Sequence, residues 1–132
     1  MRISFDFDST LDEVLIQKLC RIFMKSNECE VFIITSRYND EFHKNTDLFK
    51  ISDNLGIRRE NIHFTNGDFK WKKIKELNIT FHFDDMEDEV HLINAKGGCA
   101  LLFNFDVGMC KWLLDDLERG LLDSNDINTK KI

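Results

Sequence analysis

Four groups of reactive side chains recur at separate points of this sequence: Asp6-Phe7-Asp8-Ser9-Thr10, Thr35-Ser36-Arg37, Lys70 and Asp84-Asp85. Bare carboxylates do not gather without cause. Two like charges 4 Å apart repel by roughly 4 kcal/mol at an effective dielectric of 20. Either some of them protonate or a cation joins them. A hard divalent ion with oxygen ligands meets that need, and Mg2+ is the usual choice where phosphates are handled. Metal and lysine would then neutralise phosphoryl oxygens while an aspartate attacks phosphorus and forms an aspartyl-phosphate. A second aspartate two residues on could protonate the leaving oxygen and later deprotonate a water. Each fragment is weak alone, because Asp-x-Asp-x-[Ser/Thr] is short and an Asp-Asp pair is common in loops. Weight comes from the order and placement of all four.

The elements that must position these groups alternate in type. Ile3, Phe5 and Phe7 alternate with Ser4, Asp6 and Asp8, the period of a strand. Leu11, Val14, Leu15, Leu19, Ile22 and Phe23 predict a helical stripe, with Thr10 and Glu13 as its capping box. Val31 to Ile34 is a continuous apolar run, as expected of a strand covered on both faces. A second helix is expected within 40–55, stopped near Gly56, and a third strand at 61–65. Asp68 is the expected cap of a helix presenting Trp71, Ile74 and Asn78, and residues 80–84 read as a fourth strand. Met86, Val90 and Ile93 mark one face of the next helix, ended by Gly97-Gly98. A fifth strand follows at 99–104, then a helix bearing Trp112, Leu113 and Leu117, ended by Gly120.

Such alternation predicts an α/β fold with a parallel sheet and helices on both faces. Ligands of these folds sit at the carboxyl ends of strands, where the strand order reverses. The reactive groups fall at the expected ends of strands one, two and four, with Lys70 opening the helix between strands three and four.

At 132 residues the chain is one domain in length, expected over 1–120 with a C-terminal tail at 121–132. No apolar run approaches the roughly 20 residues of a membrane span, and no stretch reads as a signal peptide. Cys20, Cys29, Cys99 and Cys110 lack C-x-x-C spacing, which predicts reduced thiols in a cytoplasmic protein. The formal charge is −6, which argues against indiscriminate nucleic-acid binding. Residues 37–75 nevertheless carry nine basic against six acidic groups and could greet an anion. Solvated helix faces explain the same charges.

The four groups together resemble the haloacid-dehalogenase superfamily of phosphatases, over residues 1 to about 105. Asp6-Phe7-Asp8-Ser9-Thr10-Leu11 is similar to the family's Asp-x-Asp-[Gly/Ser]-Thr motif. The resemblance implies Asp6 as nucleophile and Asp8 as general acid/base. Val31 through Thr35 is similar to its second motif, whose terminal Thr or Ser hydrogen-bonds the phosphoryl group, with Ser36 beside it. Lys70, 14 residues before Asp84, matches the third-motif lysine, although Lys72 and Lys73 compete for that role. Phe81-His82-Phe83-Asp84-Asp85 resembles the fourth motif. By that carry-over Asp6, Asp85 and the backbone carbonyl of Asp8 hold Mg2+, with Asp84 in support; whether Asp84 or Asp85 is the direct ligand stays open. The family's fold is a three-layer Rossmann-like sheet of five parallel strands in the order 5-4-1-2-3.

His82 replaces a more usual apolar residue and reads as a packed or hydrogen-bonded strand histidine, with a site contact as the alternative. Asp88 reads as a helix-start acid or a supporting carboxylate. Arg37 is either a substrate contact, as in capless relatives acting on nucleotide or polynucleotide phosphates, or part of a surface salt bridge. Trp71 and His43 could border the entrance, against helix packing and ordinary exposure. Only 26 residues separate Asp8 from Thr35 and four separate Thr65 from Lys70, so no cap domain is inserted and the site is expected to be open. These features together predict a Mg2+-dependent phosphomonoester phosphatase whose substrate is a small molecule or the phosphorylated end of a macromolecule, nucleic acid included. A catalytically idle domain that binds a phosphorylated partner is the alternative. A signalling receiver domain fits poorly, because strand three ends at Thr65 with no acceptor aspartate.

Overall fold

The computed structural model describes residues 1–103 together with Arg119. Five strands, β1 (Arg2–Phe5), β2 (Glu30–Thr35), β3 (Ile62–Phe64), β4 (Phe81–Asp84) and β5 (Ala100–Leu102), form one parallel sheet ordered β3-β2-β1-β4-β5. This is the expected five-stranded order read from its other edge. Four helices connect them: α1 (Val14–Met24), α2 (Thr46–Leu55), α3 (Trp71–Glu76) and α4 (Glu87–Ala95). The chain leaves β1 towards β2 on one side and returns from β3 to β4 on the other. The switch in strand order therefore falls between β1 and β4. The expected last helix (Trp112, Leu113, Leu117, Gly120) and the 121–132 tail lie outside the described residues. No helix among those described is long and apolar enough to cross a membrane.

Strand periodicity sorts the core into two layers. Ile3, Phe5, Val31, Ile33 and Phe83 face α1 and α2, where Ile16, Leu19 and Leu48 meet them. Phe32, Ile34 and Ala100 face α3 and α4, where Ile74 and Ile93 complete a second cluster. Ser4 and His82 are neighbours in the β1–β4 register and point to this second face. Continuing that register sets Asp6 beside Asp84, with the Asp6 amide donating to the Phe83 carbonyl at 2.9 Å. The parity of β1 and β4 thus delivers Ser4 and His82 to one face and Phe5 and Phe83 to the other, where their rings stack 5.0 Å apart.

Local expectations fail where the loops take over. The capping box does not form: α1 starts at Val14 and has no side-chain cap. Residues 7–11 instead wind into a turn closed by Leu11 and Asp12 amides donating to the Asp6 and Phe7 carbonyls, with Ser9 left-handed at φ 58°. A side chain there carries a backbone cost that glycine avoids. The turn buries Thr10 and shifts the helix phase, so that Ile16, Leu19 and Cys20 are inside while Val14 is 73% exposed. Asp68 does not cap α3 through its side chain; its amide and carbonyl close a turn with Thr65. Asn78 lies beyond the short helix at φ 53°. Met86 is exposed, and the buried positions of α4 are Glu89 and Ile93.

Candidate active site

The carboxyl ends of β1 and β4 converge on a buried ammonium. Lys70 precedes α3 and enters between the strands, with Nζ 2.6 Å from Asp84, 2.9 Å from Asp6 and 3.6 Å from Glu89. Its amide also donates to Glu89 Oε1 at 3.1 Å. Burial works against the Lys70 charge, but Asp6 and Asp84 outweigh it and hold its pKa above the ordinary lysine value. Lys72 lies over the Trp71 ring and Lys73 pairs with Glu76, so neither competes for this position.

Behind Asp84 the polar chain continues into the sheet. Ser4, His82 and Asp84 are all fully buried. His82 sits 2.8 Å from Asp84 Oδ2 through Nε2 and 2.7 Å from Ser4 Oγ through Nδ1. Burial disfavours the charged imidazole and lowers its pKa. A neutral ring donates Nε2–H to the carboxylate and accepts the Ser4 hydroxyl proton at Nδ1. Serine, histidine and aspartate stand in sequence here, but without solvent access they orient Asp84 and cannot meet a substrate. The Met86 amide donates to Asp84 Oδ1. Burial opposes ionisation of Asp84, yet the His82 hydrogen bond and Lys70 hold its carboxyl down at about 2.

One lysine cannot balance all the acids around it. Burial pushes the Asp6 carboxyl up to about 8 despite Lys70, and burial raises Glu89 as well. Asp6, Asp84 and Asp85 each present an oxygen within 4.8 Å of the others. Thr10 donates to Asp85 at 3.4 Å, steadying the half-buried third acid. An all-oxygen donor set with surplus negative charge could hold a hard divalent cation. The Asp8 side chain lies outside this trio.

Asp8 belongs to a second ionic group. Arg37 donates Nε and Nη2 to its two oxygens at 2.9 and 2.7 Å and clasps Asp47 with two bonds of 2.8 Å. The guanidinium also lies 4.8 Å from the Phe7 ring centre. Hydrogen bonding to Arg37 holds the Asp47 carboxyl at about 2. The salt-bridge reading of Arg37 is the one observed.

Thr35 is wholly buried and its hydroxyl accepts from the Arg37 amide at 3.2 Å. Ser36, not Thr35, lines the open cleft of about 440 Å3, together with Asp6, Asp8, Lys70, Asp85 and Asp88. The loop after β3 is stitched to the loop after β2 by Gly67 and Asn66 amides donating to the Ser36 and Arg37 carbonyls. Trp71 packs on the second core, away from the cleft, with Lys96 over its ring. His43 is exposed, bonded to Asp40 and stacked on Tyr38.

Glu89, Ser4 and Asp47 escape the sequence reading. Glu89 had a signal, since it lies one helical turn before the buried Ile93 and thus on its face. Ser4 shares strand parity with Asp6. Asp47 had none. No protein-family model matches the chain, and no curated protein matches it.

Proposed function

We propose that this chain is a Mg2+-dependent phosphomonoester phosphatase of haloacid-dehalogenase type that works through phospho-Asp6. The observation that carries the reading is the meeting of Asp6, Asp84, Asp85 and Lys70 at the switch in strand order, where Asp6, Lys70 and Asp85 line an open cleft and Asp84 is buried behind them. Asp6, Asp84 and Asp85 would hold Mg2+, which would supply charge neutralisation for phosphoryl oxygens.

The chain's own groups supply the rest. An Asp6 oxygen attacks phosphorus and the bond to the ester oxygen breaks, leaving an acyl phosphate. Asp8, as general acid, gives a proton to the departing oxygen. It then takes a proton from a water that attacks phosphorus, the Asp6–phosphorus bond breaks, and phosphate leaves with both aspartates restored. Lys70 balances the phosphoryl charge, and Ser36 offers a hydroxyl at the cleft wall. Asp8 meets the leaving oxygen only after parting from Arg37.

That clasp favours a second reading, a domain that binds phosphorylated partners without turnover. Phosphate release from p-nitrophenyl phosphate and a panel of biological phosphomonoesters separates the two. Turnover that requires Mg2+, vanishes with EDTA and is lost in Asp6→Asn supports the enzyme. Full activity in Asp6→Asn sinks the assigned nucleophile, and no turnover with intact phosphate binding favours the second reading.

A further inference from the structure

A second cavity, of about 550 Å3, adjoins the cleft and shares Ser36 with it. Tyr38, Phe42 and His43 line it. Tyr38 marks the junction: a Cβ on Gly67, a residue of the cleft wall, would fall 2.5 Å from the Tyr38 hydroxyl. Gly67 is also left-handed at φ 86°, so the close approach depends on its lacking a side chain. The Tyr38 ring stacks on His43 at 5.2 Å. Phe42 is 84% exposed.

Single apolar side chains in water are ordinary, but clustered ones mark contact surfaces. Eight large apolar side chains are exposed among the described residues, and Tyr38, Phe42, Phe69 and Met86 all line one of these two cavities. Flat rings with a free face hold other flat rings, and stacking tolerates any base. The local charge limits what else can come. Residues 38–47 carry Asp40, Glu41 and Asp47 against Lys44 alone, and Arg37 is shared by Asp8 and Asp47. A polyphosphate strand would meet mostly acids here, whereas a nucleoside monophosphate brings only an uncharged base to this cavity.

We propose that the Tyr38–Phe42 cavity seats the aromatic base of a nucleoside monophosphate whose phosphate occupies the Asp6 cleft. This rests on the phosphatase reading and names its substrate class. The base contributes binding energy away from the reacting bond, so its loss raises KM and leaves kcat nearly constant.

The test compares the four common ribonucleoside 5′-monophosphates with ribose 5-phosphate, which has the same phosphoester and no base. Wild-type protein is expected to show a KM roughly tenfold lower for the nucleotides, and Phe42→Ala and Tyr38→Ala to raise those KM values by a similar factor. Calorimetric titration of the Asp6→Asn protein with the same compounds reads the cavity without turnover. Equal affinity for nucleotide and ribose 5-phosphate overturns the base site even if every ester is hydrolysed. Base-selective binding that Phe42→Ala abolishes supports the site even if wild-type protein hydrolyses nothing, an outcome that sinks the phosphatase reading alone.

Discussion

Replacing Lys70 by Met removes one positive charge from the most enclosed part of the site while nearly conserving side-chain volume. The lysine is 2% exposed and touches Asp84, Asp6 and Glu89 at 2.6, 2.9 and 3.6 Å. At an effective dielectric of 20, an ion pair 2.6 Å apart attracts by roughly 6 kcal/mol. That gross figure is offset by dehydration, which costs several kcal/mol per ion. What matters is the cost of leaving carboxylates buried with no counter-ion, about 3–5 kcal/mol for one broken pair. Three acids lose their partner here, but Asp6 and Glu89, already raised by burial, can take up protons and limit the loss. The expected destabilisation is therefore about 3–5 kcal/mol, against a typical domain stability of about 5–15 kcal/mol. Urea unfolding at pH 7 measures it, with and without Mg2+, on wild type, Lys70→Met, Asp84→Asn and the double variant. Mg2+ should narrow the gap between wild type and Lys70→Met, and the double variant should lose less than the sum of the singles. A loss under about 1 kcal/mol, or strict additivity, would refute the view of Lys70 as the counter-ion of this cluster.

His82→Phe deprives Asp84 of a donor and the Ser4 hydroxyl of its acceptor, which should cost about 1–3 kcal/mol in unfolding free energy. Adding Ser4→Ala removes the stranded hydroxyl and should recover part of that; an unchanged melting curve in His82→Phe counts against the buried polar chain. Asp47 has a folded pKa of about 2 against an ordinary 3.8, so its pairing with Arg37 stabilises the fold above pH 3.8 and is lost as pH falls through 2. With its side chain 59% exposed, solvent screens the pair, and Asp47→Asn should trail wild type by about 0.5–1 kcal/mol at pH 5, the gap closing towards pH 2. A gap independent of pH would show that the pair contributes no ionic stabilisation.

The alternation of strand and helix was legible because apolar period is a local property. Val31–Ile34 can only be satisfied inside a sheet covered on both faces, and Gly56 does end α2 in a left-handed conformation. The positions of Asp6, Asp84 and Lys70 at strand ends and a helix head were likewise open to reading. What the sequence could not set was the choice of partner. Thr10 carries the signature of a helix cap and instead turns its hydroxyl to Asp85, 75 residues on. Thr35 ends its strand as expected, its buried hydroxyl accepts from the Arg37 amide, and Ser36 takes the cleft wall. Asp8 is drawn out to Arg37, which Asp47 also holds.

By itself, then, the sequence determined which residues are apolar, at what period, and which acids must travel together to a sheet edge. Only the tertiary structure decided which acid Lys70 would bind most closely, that His82 would lock Asp84 from behind, and that Arg37 would take Asp8. The physical reason is distance. Hydrophobic period acts between neighbours along the chain, whereas hydrogen bonds and ion pairs weaken steeply with separation, and the separations exist only once parallel strands have placed their ends side by side.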